Sequence, residues 1–128
     1  MAVRIVRLGS AREPGEGLRI GTVRRPPRGV PKSAFAARNW YDVWFPNLAP
    51  LADTVKAALL ASTPREWALF EKKYRAEMAT PENRRTLDLL AAFSHHANFS
   101  VGCYCADESR CHRSVLRQLL TERDANVL

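Results

Sequence analysis

The stretch from 98 to 123, NFSVGCYCADESRCHRSVLRQLLTER, limits what this chain can fold into more than any other. Its first seven residues read as a short, buried strand, and HRSVLRQLLTER (112–123) places Val115, Leu116, Leu119 and Leu120 on one face at helical spacing. Only a tight polar loop separates the two. A strand that runs through such a loop into a helix N-terminus is the arrangement that places ligands at the carboxyl end of the sheet in open α/β folds. The expected fold class is α/β: a single small domain over 1–128, with a mostly parallel sheet flanked by helices in Rossmann-like layering.

Upstream segments supply the other elements. VRIVRL (3–8) alternates apolar and basic residues, as an edge or half-buried strand does; AREPGEG (11–17) reads as a loop, and LRIGTV (18–23) as a second strand. RRPPRGVPK (24–32) has three prolines and a glycine in nine residues, which excludes a helix or a central strand and leaves a stiff basic loop. After the aromatic stretch NWYDVWFP (39–46) the chain turns helical. PLADTVKAALLA (50–61) is a short helix. TPREWALFEKKYRAEM opens with Thr63 as N-cap, Pro64 at the first helical position and Glu66 at the third, a capping box, and carries Trp67, Phe70, Tyr74 and Met78 as one apolar stripe. TPENRRTLDLLAAF repeats the Thr-Pro opening at Thr80 and Pro81, with Leu87, Leu90 and Ala91 on its inner face. His95 and His96 follow as last-turn residues favoured by the helix dipole.

A chain of 128 residues that is 46% apolar can fill one core, whereas two domains would each be too small. The net charge of +7 is uneven: residues 1–40 hold nine basic residues against two acidic, and residues 41–128 hold eleven of each. Such a block suits an acidic partner, namely nucleic acid, a nucleotide or another phosphorylated ligand; a solvated basic surface is the plainer alternative. The longest apolar runs, such as AALLA (57–61), are far short of a membrane span, and MAVRIVRLGS lacks the apolar core of a signal peptide. These features predict a cytoplasmic protein with no membrane partner. Three cysteines is an odd number, and a reducing compartment does not sustain structural disulfides, so thiols or metal ligands are expected and no disulfide-linked partner.

All three cysteines lie in CYCADESRCHR (103–113), beside His112, Arg110 and Arg113. Four chemistries compete for them. Cys103 and Cys105, two apart on a strand, project to one face, and Cys111 with His112 would complete a Cys₃His metal set; the adjacency of Cys111 and His112 and the lack of C-x₂₋₄-C spacing weigh against it. Cys111 or Cys105 could instead be a reactive thiol with His112 as base, since helix amides and the neighbouring arginines lower a thiol pKa. The stretch has neither a Cys-x₅-Arg phosphate loop nor a redox C-x-x-C. An anion pocket explains more residues: Arg113 in a first helical turn opposes the macrodipole unless a negative group lies near, either Asp107 and Glu108 or a phosphate held by the helix amides. The fourth reading is packing, which suits Cys103 best.

RRPPRGVPK (24–32), YRAEM (74–78) and CYCADESRCHRSVL (103–116), in this order, resemble the YeaO-like family, domain of unknown function 488, over nearly the whole chain. The closest elements are Arg25, Arg28 and Gly29; Tyr74, Arg75 and Glu77; and Cys111, His112 and Arg113. The resemblance implies a compact α/β protein whose separate motifs meet in space. If the strands at 18–23 and 98–104 are parallel neighbours, Arg25, Arg28 and Lys32 face Cys105, Cys111, His112 and Arg113 across one crevice. Tyr74, Arg75 and Glu77 would be a third wall, with Tyr74 better placed in the core. Trp40, Tyr41, Trp44 and Phe45 offer a stacking surface or a core edge. The leading expectation is binding of a phosphate-bearing ligand, with a thiol-dependent enzyme as the second. The chain has neither a paired-carboxylate nor a Gly-rich phosphate motif, which leaves any cofactor unspecified and motivates a third, a regulatory interaction module.

Overall fold

The computed structural model describes residues 1–128. Strands β1 (Val3–Arg7), β2 (Leu18–Gly21), β3 (Val43–Trp44) and β4 (Phe99–Cys103) form one fully parallel sheet in the order β1-β4-β2-β3. All five residues of β4 are buried, as a strand covered on both faces must be, and this is why its sequence is continuous rather than alternating. β1 and β2 flank it, with Ile5 and Ile20 both opposite Val101. The expected parallel pairing of the second and last long strands is therefore present. The aromatic stretch at 39–46 yields more than a core edge, because Val43 and Trp44 extend the sheet as a short parallel edge strand beside β2.

Four helices complete the α/β layering: α1 (Ala52–Leu60), α2 (Pro64–Met78), α3 (Pro81–Phe93) and α4 (His112–Thr121). The main core joins Phe70, Tyr74 and Met78 of α2 to Val115, Leu116, Leu119 and Leu120 of α4 and to Val3, Phe99 and Val101 of the sheet. Thr63 caps α2, its Oγ1 accepting from the Glu66 N–H at 3.1 Å. Thr80 does not repeat this: its hydroxyl donates backward to the Glu77 carbonyl at 3.2 Å, so the two Thr-Pro openings start their helices differently. His95 and His96 fall just beyond α3, where His95 Nε2 donates to the Asp124 carbonyl at 2.7 Å. No helix is long and apolar enough to cross a membrane.

Two internal features position the carboxyl edge of the sheet. A second, smaller core of Leu8, Val23, Tyr41, Cys103 and Cys111 lies there. Beneath the 11–17 loop, Arg19 is fully buried and grips Glu16 through Nε (2.8 Å) and Nη2 (2.9 Å), while Nη1 donates to the Ser10 and Asn39 carbonyls. Ser100 of β4 donates its hydroxyl to the same carboxylate at 2.8 Å. Arginine and glutamate counted as surface charge in the sequence thus form an internal rivet between two loops and the central strand.

Candidate functional site

Because the strands are parallel, the chain leaves β1, β2 and β4 at one edge, and the segments that follow them enclose an open cleft of about 1320 Å³ with α1 as the facing wall. Five cations line it, Arg7, Arg24, Arg25, Arg28 and Lys56, and no carboxylate does. Arg24 is already engaged, donating from Nε to the Pro50 carbonyl and from Nη2 to the Ala49 carbonyl, which ties the proline-rich loop to the start of α1. Tyr104 joins the other two segments: its hydroxyl donates to the Arg25 carbonyl at 2.8 Å, and its own carbonyl accepts from Arg7 Nε at 3.3 Å. Arg25 and Arg28 are exposed, and neither side chain has a protein hydrogen-bond or ion-pair partner. Trp40 packs edge-on against Tyr104 with centroids 5.8 Å apart. Gly9, at φ 91°, admits that indole, for a Cβ there would stand 2.9 Å from its ring.

Thiols form the floor. Cys103 closes β4 and Cys111 caps α4; both are buried, and their sulfurs are 2.6 Å apart. His112 Nε2 donates to the Thr22 carbonyl at 2.8 Å, which fixes the tautomer and leaves Nδ1 as an acceptor 3.7 Å from Cys111 Sγ. Burial pushes the His112 pKa down to about 4, so the ring is neutral at pH 7. Cys105 differs from the other two. The strand ends at Cys103, so Cys105 does not continue its face but stands exposed in the cleft. Hydrogen bonds from the Cys103 and Cys111 thiols hold its pKa below the ordinary thiol value, and hydrogen bonds to Cys105 and Cys111 push Cys103 up. Cys103, Cys111 and His112 are the donors that could hold an ion, with their ligand atoms within 4.8 Å of one another; Cys105 is not in that set.

Arg113 is buried, not displayed. Its Nη2 donates to the Cys105 carbonyl at 2.5 Å and its Nε has no partner. Asp107 and Glu108 do not pair with it: Asp107 accepts from Ser109 N–H and Oγ, and Glu108 takes a two-pronged bond from Arg117 at 2.6 and 3.0 Å. Asp107 and Glu108 still lie within range of the Arg113 charge, and Arg113 is held in that first turn by the Cys105 carbonyl.

Of the residues singled out in sequence, Arg25, Arg28, Cys105 and His112 line the cleft together, with Cys103 at its floor. Cys111 and Arg113 lie behind them, and Lys32 sits in a separate 3₁₀ turn at 32–34, outside the lining. Of the four aromatics Trp40, Tyr41, Trp44 and Phe45, only Trp40 reaches the cleft; Tyr41 is buried against Phe35, Trp44 donates its indole N–H to the Val23 carbonyl, and Phe45 packs on the main core. Tyr74, Arg75 and Glu77 form no wall. Tyr74 donates to the Leu48 carbonyl, Arg75 pairs with Glu122 and Gln118, and Glu77 accepts from Leu51 N–H and Thr54 Oγ1 to hold α1. Sequence reasoning missed Arg7, Lys56 and Tyr104. For Arg7 a signal existed, its position at the carboxyl end of a parallel strand; for Lys56, on a helix far along the chain, none did.

A family model, DUF488-N3a, described as the active DUF488-N3 subclade, matches residues 3–124. No curated protein and no solved structure matches the chain.

Proposed function

This chain belongs to the DUF488 family, which includes the YeaO-like proteins, and we propose that its cleft binds a phosphate-bearing ligand of nucleotide size. The observation that carries this reading is the one-signed lining: Arg7, Arg25, Arg28 and Lys56 converge with no acidic residue to neutralise them. An anion is the ligand such a site attracts most strongly, because charges in a partly enclosed cleft are less screened than on open surface. Trp40 and Tyr104 supply an aromatic edge beside the cations, and Val55 and Leu59 of α1 supply an apolar side opposite, as a base or other flat apolar group requires.

The exposed Cys105 supports a second, compatible reading, that the bound ligand meets a nucleophile. His112 then acts as a positioning residue through Cys111, since its Nε2 is committed to Thr22.

The test is thermal. Inorganic phosphate at ten times Kd stabilises the folded protein by about 1.4 kcal/mol, a shift of a few degrees for a domain of this size. The Arg25→Ala/Arg28→Ala double variant should lose most of that increment when both proteins are compared at matched chloride ionic strength. Equal increments in the two proteins would contradict an anion site in the cleft.

A further inference from the structure

We propose that Cys105, Cys111 and Cys103 form a thiol relay that reduces a hydroperoxide entering the cleft and stores the oxidising equivalents as a buried disulfide. The inference does not depend on the phosphate reading. It rests on the arrangement of the three cysteines: Cys105 exposed in the cleft, Cys103 buried at the cleft floor, and Cys111 buried against Cys103 with the two sulfurs 2.6 Å apart.

Accessibility singles out one residue. Cys105 is the exposed thiol, and the Arg113 guanidinium, which grips the Cys105 carbonyl, fixes the turn that presents it to the cleft. Arg113 Nε, buried and without a partner, leaves a donor unspent on the protein at this cluster. The buried pair is shielded from solvent, as resolving thiols should be until an oxidised sulfur is presented to them.

The chemistry balances without a metal or a further acid. The Cys105 thiolate attacks the distal oxygen of the hydroperoxide; an S–O bond forms, the O–O bond breaks, and the alkoxide takes a proton from water to leave as alcohol. The sulfur has lost two electrons and is a sulfenic acid. Cys111, with His112 Nδ1 3.7 Å from its Sγ, then attacks it; the thiol proton passes to the departing hydroxide, which leaves as water, and a Cys105–Cys111 disulfide remains. Cys103, already against Cys111, displaces Cys105 by exchange; its proton passes to the departing Cys105 sulfur and on to solvent in the cleft, so the disulfide moves into the core and Cys105 is free again. A Cys103–Cys105 bridge is not required, which matters because a Cys-x-Cys ring is strained. A small dithiol reduces the buried disulfide and closes the cycle.

The experiment treats fully reduced protein with one equivalent of hydrogen peroxide and follows free thiols and intact mass. Wild type should lose two of its three thiols and the mass of two hydrogens, with the disulfide mapping to Cys111. Cys105→Ser, at an exposed position, should react at least about tenfold more slowly, since the two thiols that remain are buried. Cys111→Ser should halt at a dimedone-trappable sulfenic acid on Cys105; if that buried variant fails to fold, the wild-type map and the Cys105→Ser rate still decide. Equal rates in wild type and Cys105→Ser, oxygen addition to wild type without a disulfide, or a stoichiometric metal ion shielding the cysteines would each overturn the relay.

Discussion

Arg19→Met is expected to lower the free energy of unfolding by about 3–5 kcal/mol, a large part of what a domain of this size has. The guanidinium is fully buried and makes four hydrogen bonds, two to Glu16 and one each to the Ser10 and Asn39 carbonyls. Methionine fills the volume but leaves the Glu16 carboxylate with only the Ser100 hydroxyl and the Glu13 N–H. An ionised carboxylate buried with half its partners gone is among the few single-residue defects that reach this size. Neutralising the orphan should recover most of the loss, so Arg19→Met/Glu16→Gln should be clearly more stable than Arg19→Met alone. Urea unfolding at pH 7 measures both, and a single-variant loss below about 1 kcal/mol would show that the pair is not internal.

The acid limb of stability should begin with His112. Its folded pKa is about 4 against an ordinary 6.5, because burial opposes the charged ring. Between those values the unfolded chain binds a proton that the folded protein refuses, so the contribution is fully present above pH 6.5 and is lost as pH falls, amounting to about 3 kcal/mol by pH 4. The groups facing the ring are the Thr22 carbonyl at Nε2, Cys111 at Nδ1, the Tyr74 ring 5.5 Å away, and the charges of Cys105 and Arg113. Cys105 adds a slope of the same sign, because its thiolate too is favoured by the fold. The informative quantity is therefore the difference between wild type and His112→Gln over one pH series. That difference should change between pH 6.5 and 4, whereas Glu16, held at about 2 in the fold, contributes only below 4.5. A flat difference would show that the ring takes up its proton without unfolding.

Much of the fold was legible because its signals are local. The apolar run at β4, the helical spacing of Val115, Leu116, Leu119 and Leu120, and the proline loop at 24–32 each have a physical reason confined to a few neighbouring residues. The edge strand at Val43–Trp44 was not legible, since two residues carry no period and are held there by β2. Thr80 had the composition of a cap yet bonds backward to Glu77, because the preceding turn offers its hydroxyl a carbonyl first.

The basic block illustrates the limit at the site. Sequence counts charges and not their partners, so Arg12, Arg19, Arg24, Arg25 and Arg28 looked alike. Arg12 is spent on Asp42, Arg19 on Glu16 and Arg24 on two carbonyls, while Arg25 and Arg28 stay free beside the cleft. The same holds for Arg113, whose unfavourable place in a helix start was readable but whose guanidinium is buried on the Cys105 carbonyl rather than displayed to the cleft.

Calorimetric titration with a nucleoside 5′-monophosphate and with its parent nucleoside tests the anion cleft most directly, since the two differ only in the phosphate. The monophosphate should bind at least about tenfold more tightly, the worth of one charge-assisted contact, and that preference should collapse in Arg25→Ala/Arg28→Ala. Equal affinity for both compounds, or a preference that survives loss of the two arginines, would contradict the assignment of this cleft to a phosphate-bearing ligand.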